Sequence, residues 1–295
     1  MIIFLTIFQY LVQATVDLMD KFLISTRKIE PVNYTFYTVV TGLVLLLVWP
    51  WTFAALPLKF ILLNLFSGAI FSLAMYVFFV ALSQGEVSRV IPYVFGLVPV
   101  FDILIANVTG RDVLSANELA AVFVLIPGAL IVSHQKGEFW GRHVALKTLS
   151  AFLFSCYYAF WQYSSQVGPV LNSLIYNRIG AAAVLLILLL LPGFRKKVFT
   201  FEKVEKKSST SFIFLFKQVL GGANFIFLSF LYSLGTISII NALQGFRYVF
   251  LLILSWFIAS KRSHLIKEQA DRKIILQKSF GVALIFMGVI LLFIK

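Results

Sequence analysis

The sequence predicts an all-α integral membrane protein with ten transmembrane helices, built as two inverted five-helix repeats. Three observations lead there. Of the 295 residues, 60% are hydrophobic and only 13% are charged, where a soluble domain carries about 25% charge. Apolar runs long enough to cross a bilayer, about 20 residues each, recur along the whole chain. The lysines and arginines fall almost entirely on one side of those runs.

The expected spans are 2–25, 33–50, 58–82, 89–108, 116–133, 146–166, 170–191, 212–233, 236–259 and 277–294. The first begins at Ile2 without a basic leader, so it reads as a span and not as a cleaved signal. It carries a polar stripe, Thr6, Gln9, Gln13, Asp17 and Asp20, at helical spacing, and such a face points into the bundle. Span three holds Asn64. Span four holds Tyr93 and two prolines, Pro92 and Pro99, seven apart on one side, where they bend a helix and free carbonyls. Span six repeats the stripe weakly through Ser155, Gln162 and Gln166, beside the aromatic group Tyr157, Tyr158, Trp161 and Tyr163. Span seven carries Arg178 near Asn172, Tyr176 and Asn177, and span eight carries Asn224. Gly221, Gly222, Gly281 and Gly288 read as close-packing positions.

Counted across ten spans, the side that holds the termini has only Lys59, Arg111 and Lys295, against 20 basic residues on the other. Arg178 and Arg247 are left over, counted to neither side. By the positive-inside rule the basic loops are cytoplasmic and both termini are outside, in a plasma (inner) membrane. The net charge of +13 therefore speaks for membrane orientation and not for nucleic acid. The two longest loops, 193–211 and 260–276, are polar and basic and are read as solvated.

The two halves, 1–134 and 135–295, resemble each other. "SQGEVS" at 83–88 matches "SLGTIS" at 233–238, and "FGLVPVF" at 95–101 matches "QGFRYVF" at 244–250. Pro31 finds Pro169, Gly42 finds Gly180, and Ala121 and Gly128 find Gly281 and Gly288. Five spans is an odd number, so the second copy runs through the bilayer upside down, as in secondary transporters.

On "ALSQGEVSRVIPYVFGLVPVF", "LYSLGTISIINALQGFRYVF" and the closing "GVALIFMGVILLF", the chain resembles the drug/metabolite transporter superfamily in its ten-helix, EamA-like branch. The resemblance covers nearly the whole chain. It implies a central cavity lined by spans three, four, eight and nine, alternating access, and cargo such as amino acids, drugs or phosphorylated metabolites. The sequence departs from that family in two places. Relatives keep both termini in the cytoplasm, and "GRDVLSANE" stands where an acidic "GE" often follows span four.

Arg247 is the sharpest signal. Counted from a span start near Thr236, it lies about 15 Å deep, near the midplane, where an arginine costs roughly 2.5–3.5 kcal/mol. Asn241, Gln244, Tyr248 and Ser255 share one face of its helix, with Arg247 beside Gln244. This face is expected to line a solute path, with Arg247 holding a carboxylate or phosphate; the alternative is an arginine tied to backbone carbonyls or a helix-borne acid. Arg178 is about 12 Å from the outer edge, where it binds substrate or snorkels to the interface. Asp17 is a candidate proton carrier or an arginine's partner; the alternative is an i,i+4 pair with Lys21. Tyr93, Asn224, Asn64, Trp161 and Gln162 are weaker substrate candidates, with Pro92 and Pro99 as the hinge.

The expected function is secondary active transport, export or exchange, of small polar or anionic metabolites such as amino acids, by a monomer without metal or cofactor. A lipid flippase or lipid-linked phosphate carrier is the alternative. An intramembrane enzyme is third: His134, His143 and His264 show no paired-ligand spacing, no GxSxG occurs, and Cys156 has no histidine near it in sequence.

Overall fold

The computed structural model describes residues 2–52, 56–109, 115–134, 142–199, 208–234, 240, 243–261 and 271–292. Among them the regular structure is entirely helical. The helices are α1 (Ile2–Lys21, extended by a π-helical turn Phe22–Thr26), α2 (Pro31–Gly42, followed by a 3-10 stretch Leu43–Val48), α3 (Trp49–Thr52), α4 (Leu58–Gln84), α5 (Val87–Val108) and α6 (Ala116–Ser133). There follow α7 (Arg142–Val167), α8 (Val170–Leu189), α9 (Pro192–Phe199), α10 (Ser208–Leu234), α11 (Gly245–Lys261) and α12 (Arg272–Leu291).

Eight described helical segments are long and apolar enough to cross a membrane: Ile2–Thr26, Leu58–Gln84, Val87–Val108, Ala116–Ser133, His143–Trp161, Leu171–Leu189, Ser209–Leu228 and Arg272–Leu291. The other two expected spans correspond to a shorter apolar helix, Pro31–Leu47, and to α11, which has 17 residues. The outer surface is greasy, with Phe4, Leu62, Phe123, Val219 and Ile226 all largely exposed. An apolar surface that extensive is unstable in water and stable against acyl chains, so the protein is membrane-embedded.

Local signals set most helix starts. Pro31 opens α2 at a position where its missing N–H costs nothing, and Pro169 caps α8. Ser115 and Glu118 close a reciprocal capping box on α6. The start of α11 differs from expectation. The hydrophobic run predicts a helix continuing from about Thr236, but the chain turns at Leu243–Gln244 and α11 begins at Gly245. The Leu243 and Phe246 amides donate to the Ile240 and Leu243 carbonyls at 3.2 and 3.0 Å. A Cβ on Gly245 would lie 2.0 Å from the Phe286 ring, so the glycine admits an aromatic side chain of α12 against the break. Arg247 therefore sits in the first turn of α11, and a depth counted along one continuous helix from Thr236 does not hold.

Packing partners are specific. Helix α1 lies against α10 and α11, α7 lies against α4 and α5, and α6 lies against α12. Helices α5 and α6 are neighbours, as are α11 and α12, and α4 also packs on α8. Glycines permit the closest approaches. A Cβ on Gly68 would be 1.9 Å from the Asn177 carbonyl oxygen, and one on Gly180 would be 2.0 Å from the Leu65 oxygen. Between α6 and α12, a Cβ on Gly128 would meet the Ile285 nitrogen at 3.0 Å, and one on Gly288 would meet Leu125 at 2.7 Å. Gly281 packs on Val132 in the same seam. The expected role of Gly221 and Gly222 is not fulfilled: a Cβ on Gly221 would only touch Val16 at an ordinary 3.6 Å, and one on Gly222 would meet nothing.

Four basic residues counted to the basic side, Lys21, Arg89, Lys147 and Lys278, are buried at one end of the bundle. Lys21 donates to the carbonyls of Leu82 and Gly85 at 2.7 and 2.5 Å, at the C-terminal end of α4. Arg89 donates to the carbonyls of Val132 and His134, at the end of α6, and pairs with Glu86 at 2.8 Å. Lys278 reaches the same Glu86 at 2.5 Å, and Lys147 donates to Ser133. The reason is general: the last carbonyls of a helix lack intrahelical partners and carry partial negative charge, so cations settle there. These contacts gather the C-terminal ends of α1, α4 and α6 with the N-terminal ends of α5, α7 and α12. Of the basic residues segregated in the sequence, Lys21, Arg89, Lys147 and Lys278 thus meet at one end of the bundle.

Candidate functional site

The polar stripe of α1 turns inward, as its spacing predicts. Thr6, Gln9, Asp17 and Asp20 are all buried. Asp17 lies in the C-terminal half of the span Ile2–Thr26, one helical turn before Lys21. Its partner is Arg247. The guanidinium Nε donates to Oδ2 at 2.7 Å and NH2 donates to Oδ1 at 2.9 Å, a two-pronged fork that adds geometric specificity to charge. Arg247 is 8% exposed and Asp17 4%. The i,i+4 alternative with Lys21 is not what forms, because Lys21 is drawn to the carbonyls at the end of α4.

A network extends from this pair. Gln13 Nε2 donates to Asp17 Oδ1 at 3.2 Å, and Asn224 Nδ2 donates to Gln13 Oε1 at 2.9 Å, linking α1 to α10. One turn earlier on α1, the Tyr10 hydroxyl donates to the Ile240 carbonyl at 3.1 Å. Helix α1 thus holds both sides of the turn that precedes α11. The N-terminus of α11, with the positive end of its dipole, lies within one turn of Arg247, which favours the Asp17 carboxylate there. Tyr248, next to Arg247, is fully buried, and its hydroxyl has no hydrogen-bond partner among the described residues. Gln244 is half-buried, and its carbonyl accepts from the Arg247 amide at 3.0 Å. Asn241 lies outside the described residues, and so does the side chain of Gln162.

No family model matches the chain, and no curated protein matches it.

Beneath Arg247 runs an aromatic wall. Its guanidinium lies over the Phe95 ring at 4.5 Å. Phe95 contacts Phe154 at 5.3 Å, and Phe154 stacks with Tyr158 at 6.3 Å. Tyr158 adjoins Tyr157 and Tyr157 adjoins Phe71, each at 5.0 Å. At the far end, the Arg178 guanidinium lies over Phe71 at 4.8 Å. The two intramembrane arginines are therefore the ends of one continuous aromatic surface, built largely on α7. Of the aromatic group of span six, Tyr157 and Tyr158 join this wall, while Tyr163 departs from it to meet Lys59.

The remaining candidates do not join Arg247. Tyr93 is buried toward the basic end, with its hydroxyl 2.8 Å from Thr148 Oγ1 and the Lys147 ammonium 5.2 Å from its ring centroid. Asn64 receives the Ser164 hydroxyl at 2.7 Å and donates to the Phe60 carbonyl, fastening α4 to α7. Trp161 packs against the core with its indole nitrogen buried and unpartnered among the described residues. Pro92 and Pro99 both lie inside α5, whose helical assignment runs unbroken.

Three polar groups escaped the sequence reading. Lys217, counted among loop charges, lies inside α10, is 5% exposed and pairs with Asp20 at 2.6 Å, while Tyr34 donates to the same carboxylate. The Asp20–Lys217 spacing across 197 residues leaves no local signal. Glu86 bridges Arg89 and Lys278. Asp102, on the C-terminal half of α5, accepts from Ser155. The polar stripe of span six contained Ser155, so one half of this contact was visible and its carboxylate partner was not.

Proposed function

We propose that the protein is a secondary active transporter, an exporter or exchanger of small polar or anionic metabolites such as amino acids, of the ten-span drug/metabolite transporter type. The observation that carries this reading is the forked Asp17–Arg247 pair, buried inside the helix bundle at the broken start of a helix. Ionisable residues inside a membrane are expensive and mark ion or solute pathways. Interrupted helices, with turn carbonyls and a helix N-terminus beside a charge, are the usual construction of a transporter site.

The packing supports two inverted repeats. Exchange of the first five spans with the last five carries the α1 contacts with α10 and α11 onto those of α7 with α4 and α5. It carries the α5–α6 contact onto α11–α12, and α6–α12 onto itself. The last case is residue-specific. A shift of 160 turns Gly128 into Gly288 and Leu125 into Ile285, and Gly128 abuts Ile285 as Gly288 abuts Leu125. Reciprocal contacts of that kind are the signature of a two-fold axis.

In this reading α1, α10 and α11 surround the central site, and Pro92 and Pro99 give α5 the compliance for alternating access. The Asp17–Arg247 pair is the coupling element: a proton on Asp17 loosens the fork and frees α11 to move against α1. The basic end is cytoplasmic.

The test is counterflow in proteoliposomes preloaded with a panel of amino acids, dicarboxylates and phosphorylated sugars. Saturable uptake of at least one labelled member, above protein-free liposomes, is the expected result. No uptake across the panel, with accelerated translocation of a fluorescent phospholipid instead, would overturn the reading in favour of a flippase.

A further inference from the structure

We propose that Arg178, and not Arg247, is the residue that holds the negative group of an organic carboxylate. The two arginines stand at opposite ends of one aromatic wall but differ in one respect. Arg247 gives two of its donors to Asp17. Arg178 makes no ion pair and no hydrogen bond among the described residues, and its Nε is buried without a partner.

Arg178 does not snorkel to the interface. Its guanidinium lies over Phe71, the middle residue of α4 (Leu58–Gln84), and Tyr157 of α7 is its electrostatic neighbour. Gly42 of α2 leaves room for its stem: a Cβ there would be 3.2 Å from the Arg178 Cδ. Four helices, α2, α4, α7 and α8, thus converge to hold a guanidinium at mid-depth. The ring face offsets part of the cost of desolvation, but it engages none of the five N–H donors. The buried Nε–H has no acceptor among the described residues, and an oxyanion would supply one. The Phe71 and Tyr157 rings supply an apolar bed beside it, which suits a carboxylate with a flat or apolar remainder better than a bare inorganic anion.

This site deepens the proposed transport function and depends on it only for naming the ligand a cargo. The binding test is at equilibrium and needs no flux. Benzoate and inorganic phosphate are titrated separately into the full chain in phosphatidylcholine nanodiscs, with intrinsic tryptophan fluorescence as readout. Parallel nanodiscs contain phosphatidylglycerol, and Arg178→Gln and Arg178→Lys are measured beside the wild type, each checked for helicity by circular dichroism. The expected result is saturable benzoate binding, tighter than phosphate, weakened at least tenfold in Arg178→Gln and less in Arg178→Lys, and unchanged by phosphatidylglycerol. Equal binding by Arg178→Gln, absence of saturable benzoate binding, or loss of it in phosphatidylglycerol, which would make a lipid headgroup the occupant, overturns the proposal. Benzoate binding that depends on Arg178, together with failed counterflow across the panel, would leave the site standing and remove the transport function.

Discussion

Arg247 and Asp17 explain each other. A lone guanidinium or carboxylate at that depth lacks water, and the fork satisfies both groups at once. Removing one partner strands the other, which costs about 3–5 kcal/mol for a buried pair. Arg247→Gln and Asp17→Asn are therefore each expected to lower stability by about that amount, and the double variant to recover most of it. Unfolding of purified protein by sodium dodecyl sulfate measures the three against wild type; additive losses would mean that the two side chains stabilise the fold independently. At this scale the sequence was legible where spacing carried the message. The α1 stripe announced a buried face, and Asp17 stood out as an acid an arginine could use. The choice among partners was not legible, because Asp17 and Arg247 are 230 positions apart, while Lys21 is four away and is captured by carbonyls that only the folded bundle brings near.

Helices show the same division. Long apolar runs with terminal signals were located well, and the expected span 116–133 coincides with α6 because Ser115 and Glu118 cap it. Hydropathy runs straight through the turn before α11, since Leu243, Gly245 and Phe246 look the same in a helix or a break; what decides it is Phe286 filling the space above Gly245. Glycine roles also depend on what lies opposite. Gly68→Ala forces α4 and α8 apart, loses the 3.1 Å bond from Asn177 to Ser67, and is expected to cost about 1–3 kcal/mol. Gly222→Ala meets nothing and is expected to be neutral or stabilising by about 0.5–1 kcal/mol, as alanine is for glycine in a helix. Thermal aggregation midpoints in one detergent distinguish the two, and a similar loss in both would contradict the packing assigned to α10.

For the molecule as a whole, the segregation of basic residues was the most legible feature and the most misread in detail. Counting predicted one basic side; the fold turns Lys21, Arg89, Lys147 and Lys278 inward as caps and bridges at that end. A sequence count sees charge and not its partner. In a Cys156→Ser background, single cysteines at Lys59 and Arg272 report sidedness. The account predicts labelling of Lys59→Cys in intact cells by a membrane-impermeant maleimide, and labelling of Arg272→Cys only after permeabilisation; the reverse pattern would place the termini inside. The measurement closest to the central claim is counterflow by the Asp17→Asn/Arg247→Gln double variant, which keeps the polar contacts and removes both charges. A folded double variant with flux at the level of protein-free liposomes is the predicted result, and flux at the wild-type rate would contradict the role given to the pair.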